Sequence, residues 1–167
     1  AASWWWDTYI DPNELYHHYR ALADFVEGID WTGYVWQTAE TDVDSSDVRV
    51  IGLKADNEAI LWVHNKDSDW YNLYHGVDPE NIDNLSFELQ GMPDDNYVIQ
   101  WWDTWEGKVI AEEEAQSIDG SLFVQVPTFD RDVALKIRPG NIAAELDITY
   151  LLLYLAVGAL LAPPIVR

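Results

Sequence analysis

From about residue 31 to residue 137 the chain alternates apolar and polar positions with a period of two, in short runs separated by turn-forming residues. Side chains of a strand point alternately to its two faces, so this pattern predicts strands over 34–38, 48–53, 59–64, 85–89, 97–102, 108–111, 122–126 and 133–137. The separators are rich in Asp, Asn, Ser, Pro and Gly, as in Asp42-Val43-Asp44-Ser45-Ser46-Asp47 and Pro93-Asp94-Asp95-Asn96, which favour tight turns. The stretch from Tyr97 to Ile110 stands out, because β-branched and aromatic residues flank an Asp103-Thr104-Trp105-Glu106-Gly107 segment whose glycine accepts positive φ. It is expected to be the central hairpin onto which the other strands pack. About eight short strands with no helix between them define a mainly β fold, an antiparallel β-sandwich.

Both ends of the chain depart from this period. Ser3-Trp4-Trp5-Trp6-Asp7 reads as a short buried strand, and Asp11-Pro12-Asn13-Glu14 as a helix start, with a capping acid, a proline in the first turn and a glutamate behind it. Leu15, Tyr19, Leu22, Val26 and Ile29 then recur at spacings of four and three, which predicts one apolar helical face, closed near Gly28. After Pro139-Gly140, residues 148–166 are uncharged and almost wholly apolar. At a rise of 1.5 Å per residue such a run spans a bilayer of roughly 30 Å, so a membrane-anchoring helix is expected, or burial against copies of itself. Arg167 on one side and Glu145 and Asp147 on the other orient the anchor with its end inside and the sandwich outside. Three regions follow: a strand and amphipathic helix (1–31), a β-sandwich (32–139) and an apolar tail (140–167). Trp-Trp-Asp-Thr occurs at residues 5–8 and again at 101–104, but the flanks differ, and the recurrence is read as coincidence.

Charge narrows the partners. Thirty acidic against nine basic side chains give a net charge of −21 over 167 residues, which argues against nucleic acid and anionic lipid surfaces. An acid-rich, lysine-poor surface suits a high-salt or secreted setting, where screening is strong. With no cysteine there is neither a disulfide framework nor thiol chemistry.

The residues Ser3-Trp4-Trp5-Trp6-Asp7 followed by Leu15 to Leu22, the hairpin from Tyr97 to Gly107, and the later runs Leu122 to Pro127 and Asp132 to Ile137 together resemble the carboxyl-terminal end of a clan-A glycoside hydrolase. These are retaining (β/α)8-barrel enzymes related to cellulases and mannanases. The resemblance covers about residues 1–139 and implies a last barrel strand and helix followed by an accessory β-sandwich. It also implies that Trp4 or Trp6 stands where the family places a tryptophan wall beside the sugar. Retaining hydrolysis needs two carboxylates about 5 Å apart, and in the family these lie on the fourth and seventh barrel strands, neither of which is in this sequence. The chain is therefore expected to be inactive alone, with no catalytic residue, and to be an accessory portion of an exported, extracellular or cell-surface polysaccharide-degrading enzyme. β-Glucan or mannan, the upstream barrel, and membrane or self-association through 148–166 are the expected partners. A structural subunit assembling through its tail and N-terminal strand, and a carbohydrate-binding surface protein, are the alternatives.

The other candidates read as structural. His17 and His18 are adjacent, so on a helix they diverge by about 100° and cannot share a metal without outside ligands. His64 and His75 lack a companion at ligand spacing, and Glu112-Glu113-Glu114 reads as a solvated loop; no metal and no cofactor is expected. Asn84-Leu85-Ser86 matches an N-glycosylation acceptor, meaningful for an exported chain. Trp101 and Trp102 point to opposite faces, so at most one belongs to the core. Trp105, on the hairpin loop, is the tryptophan placed by position to meet a sugar, and the connection 65–84, with Trp70, Tyr71, Tyr74 and His75, reads as a surface loop with its own packing.

Overall fold

The computed structural model describes residues 5–140. Nine antiparallel strands are present among them: β1 (Gln37–Thr38), β2 (Thr41–Val43), β3 (Val48–Lys54), β4 (Ala59–Asn65), β5 (Ser86–Gln90), β6 (Asn96–Asp103), β7 (Lys108–Ile118), β8 (Ser121–Gln125) and β9 (Asp132–Pro139). They form one continuous sheet in the order β1-β3-β4-β9-β6-β7-β8-β5-β2, and β6 of the expected hairpin is its middle strand. The expected sandwich is thus one sheet curled on itself. The long strand β7 makes the turn: its first part pairs with β6, and only Ser117 and Ile118 pair with β8. Asp119 (φ 53°) and Gly120 (φ 78°) form the two-residue connection to β8, and positive φ at both positions is what a hairpin with matched strand twist requires.

Curling brings the inward side chains of the two halves together. Val50, Leu61, Val63, Tyr97, Ile99, Trp101, Val133, Leu135 and Ile137 come from one half, Phe87, Leu89, Leu122 and Val124 from the other, and all belong to one core cluster. Burying each side chain of this size contributes about 1.5–3 kcal/mol. Trp101 is 1% exposed, and its indole N–H donates to Glu113 Oε1 at 2.9 Å, so its one polar atom is satisfied. Trp102 points to the opposite face, as alternation demands.

That opposite face is covered by helix α1 (Tyr16–Val26), and here the expectations need correction. The helix begins after Leu15 with no side-chain cap; Asp11, the expected cap, instead accepts a hydrogen bond from the Tyr16 hydroxyl. Its sheet-facing residues centre on Ala21 and Phe25, while Tyr19 and Leu22 are exposed, because the outer face of the sheet selects a stripe one position round from the most apolar one. The strand expected over 3–7 is not formed in its described part: Trp6–Ile10 is a π-helical turn, in which Trp6 stacks on Tyr16 and Tyr19 at ring distances of 6.2 and 5.7 Å. The strand half of a barrel remnant is accordingly not seen. Glu112, Glu113 and Glu114 lie within β7, not in a loop, and are exposed. Trp4 and the apolar tail at 148–166, with its expected membrane-anchoring helix, lie outside the described residues. Among the described residues no helix is long and apolar enough to cross a membrane.

Candidate functional site

The outer face of the sheet carries one transverse row that follows from strand register. Ile51 of β3 lies opposite Trp62 of β4, Trp62 opposite Ala134 of β9, and Ala134 opposite Trp102 of β6. The small Ala134 between two indoles leaves a trough, and α1 flanks it with His18, Ala21, Leu22 and Phe25, forming a cavity of about 600 Å³ that is open to solvent on one side. Volumes of this order are typical of small-molecule sites.

The polar groups at the rim are already engaged. Asp103 Oδ1 accepts from the backbone N–H groups of Trp105 and Glu106, both at 2.8 Å, which fixes the hairpin loop. Asp132 accepts from the Trp62 indole at 3.1 Å and from the Thr104 hydroxyl, tying β4, β9 and the loop together. Among the described residues, Asp103 is the carboxylate that lines the cavity, and Asp132 stands beside it at the rim, bonded to the lining residues Trp62 and Thr104.

Behind the cavity lies a cation that sequence reasoning missed. Lys136 is 3% exposed, on the outer face beneath α1. Its ammonium donates to the Glu27 carbonyl oxygen at 3.1 Å and sits 4.4 Å from the Trp102 ring centre and 5.2 Å from that of Phe25. Two aromatic faces and one carbonyl replace part of its hydration. Burial pushes its pKa down to about 8, Arg138 adding to the fall and Glu27 opposing it. Its position in β9 signals an outward side chain, but only the docking of α1 turns that into a buried one.

The expected sugar-contacting residues are separated by the fold. Trp105 is at the tip of the β6–β7 hairpin and 50% exposed. The His18 ring meets it edge-on at 5.2 Å, and the Arg131 guanidinium lies 5.6 Å from its centre, so the ring is held on two sides and open elsewhere. Trp6 belongs to a different cluster, with Tyr16 and Tyr19 on the solvent side of α1. Trp4 lies outside the described residues. The His17 and His18 rings are in tilted contact at 3.9 Å; among the described residues no group of three or more His, Cys, Asp or Glu side chains is arranged to hold a metal ion. No known family model matches the chain, and no curated protein matches it.

Proposed function

We propose that this chain is a non-catalytic accessory portion of an exported polysaccharide-degrading glycoside hydrolase, contacting a neutral glycan such as β-glucan or mannan. The observation that carries the reading is Trp105: a half-exposed indole fixed by His18, Arg131 and the Asp103 loop on the most central hairpin of the sheet. An aromatic plane suits the C–H face of a sugar ring, and a ring already held in place loses little freedom on binding. The resemblance to clan-A enzymes supplies the enzyme class. The exposed aromatic residues Trp6, Tyr9, Tyr16 and Tyr19, on a chain of charge −21, support a docking face for an upstream catalytic barrel, since contiguous apolar patches on soluble proteins mark interaction surfaces.

Native gel electrophoresis through immobilised β-glucan or galactomannan tests the glycan contact. Retardation is expected, weakened several-fold by Trp105→Ala, while the isolated chain releases no reducing sugar from either polymer. Unretarded migration in both polymers, or turnover by the chain alone, overturns the reading.

A further inference from the structure

Beyond the hairpin tip, the structure carries a second, separately built aromatic surface on the connection between β4 and β5. Helix α2 (Trp70–Tyr74) stands there, its N-terminus capped by Asp69, whose side chain accepts from the Asn72 N–H. Trp70 and Tyr74 are four residues apart and so share one helix face, displaced by about 6 Å along the axis. They are 77% and 81% exposed. Tyr71 and His75 occupy the neighbouring face with their rings in tilted contact at 4.2 Å, and the His75 ring is also edge-on to Tyr74 at 5.2 Å.

The connection is fixed to the sheet, which separates this surface from a loosely hanging loop. Asn65, buried at the end of β4, donates through its side-chain amide to the carbonyl oxygens of Glu80 (3.0 Å) and Asp130 (2.7 Å) and accepts from the Asp67 N–H at 3.0 Å. Asn72 donates to the Asp67 carbonyl oxygen at 3.0 Å, Ile82 pairs with Phe129, and the Thr128 hydroxyl donates to Asp83 at 2.7 Å. The ordering entropy of the segment is spent in the free protein, yet neither outward ring contributes to the core. Folding alone gives no reason to hold them in water.

Resting on the glycan reading above, we infer that the Trp70–Tyr74 face is a second contact for the same neutral, extended polysaccharide. The charge around it selects the occupant. Asp67, Asp69, Asp78, Glu80 and Asp83 lie in this connection against the single Lys66, and among the described residues only Asp78 is paired with an arginine, Arg131 at 4.0 Å. The net negative charge repels uronate- or phosphate-bearing polymers and anionic lipid, and carboxylate oxygens beyond those held by Asn72 and Thr128 are acceptors for sugar hydroxyls. Two rings staggered along one helix face suit successive sugars of an extended chain. With Trp105 on a different connection, one polymer engaging both contacts gains by effective concentration.

The test is electrophoresis of the full chain through β-glucan and galactomannan gels, comparing wild type, Trp105→Ala, the double variant Trp70→Ala/Tyr74→Ala, and all three changes together. Both rings are exposed, so melting temperature and far-ultraviolet circular dichroism should be unchanged in the double variant. Its dissociation constant should rise roughly tenfold, with binding abolished in the triple variant. Retardation of the double variant equal to wild type overturns this inference while leaving the Trp105 reading standing; a wild type that is not retarded removes both. Stronger, salt-sensitive retardation in a glucosamine polymer overturns the assignment of a neutral ligand. A wild-type dimer in sedimentation velocity that the double variant dissociates replaces the glycan with a second copy of this chain.

Discussion

Gly107 lies directly against Ala21: a methyl group built on Gly107 would sit 2.5 Å from the Ala21 Cα. This contact joins the central hairpin to α1, and it exists because both residues are the smallest available at their positions. Gly107 also holds φ at 63°, a conformation that costs an alanine additional strain.

Gly107→Ala should therefore push the middle of α1, at Ala21, away from the hairpin loop and widen the cavity, leaving the sheet folded. The expected loss is about 1–3 kcal/mol, read from urea unfolding, together with changed fluorescence from Trp102 and Trp105. An unchanged unfolding midpoint would show that α1 docking contributes nothing to stability.

Lys136 gives a pH signature. Its folded pKa of about 8 lies below its ordinary value of 10.5, so between these values the unfolded chain binds a proton that the folded chain has released. Stability should rise with pH across that window, and below about 8 the cost of burying the charge is present in full and constant. Tyr97 opposes this at the upper end, since burial, with Asp95 and Asp94, raises its pKa above 10.0. Lys136→Met keeps Tyr97 and removes the lysine, so the difference between variant and wild-type stability isolates the lysine. That difference should favour the variant most at pH 7 and shrink steadily towards pH 10. A difference independent of pH would mean that Lys136 titrates normally.

Most strand positions were legible because each carries its own alternation, although the strand expected over 34–38 is only Gln37–Thr38 and β2 was not foreseen, lying partly in the 42–47 stretch read as a turn. Val48 to Leu53, Ala59 to His64 and Tyr97 to Trp102 all fall inside observed strands, and the opposed fates of Trp101 and Trp102 follow from the same period. What escaped depends on contacts between distant residues. Trp-Trp-Asp-Thr makes the point within one chain: at 5–8 it runs into a π-helical turn, whereas at 101–104 it ends strand β6 and begins its loop. In the second copy Trp101 has a core to enter and Trp102 has Ala134 across the ladder; in the first, Trp6 has Tyr16 and Tyr19 to stack on. The outer-face cavity was illegible for the same reason, since Ile51, Trp62, Ala134 and Trp102 come from four strands and align only through register. The Asp119-Gly120 turn was a local signal that could have placed the end of β7. Extending the short strand expected at 108–111 to that turn would have carried it through the three glutamates.

Those glutamates supply the last prediction, which bears on self-assembly. Over residues 108–116, β7 pairs with β6 on one side, and β8 reaches only Ser117 and Ile118, so that stretch has no strand on its other side among the described residues. An open edge of this length, containing Val109 and Ile110, is a template for another chain. Glu112, Glu113 and Glu114 place three charges along it, and two copies meeting edge to edge would bring like charges together without counterions. Glu113 also holds the buried Trp101 indole, whereas Glu112 accepts only an exposed bond from the Gln100 amide at 3.1 Å, so the test is confined to Glu112 and Glu114. Glu112→Val/Glu114→Val should leave the core intact and create a concentration-dependent dimer or larger species in sedimentation velocity, suppressed by restoring either charge. A double variant that stays monomeric at high concentration would show that edge pairing is blocked by something other than these carboxylates.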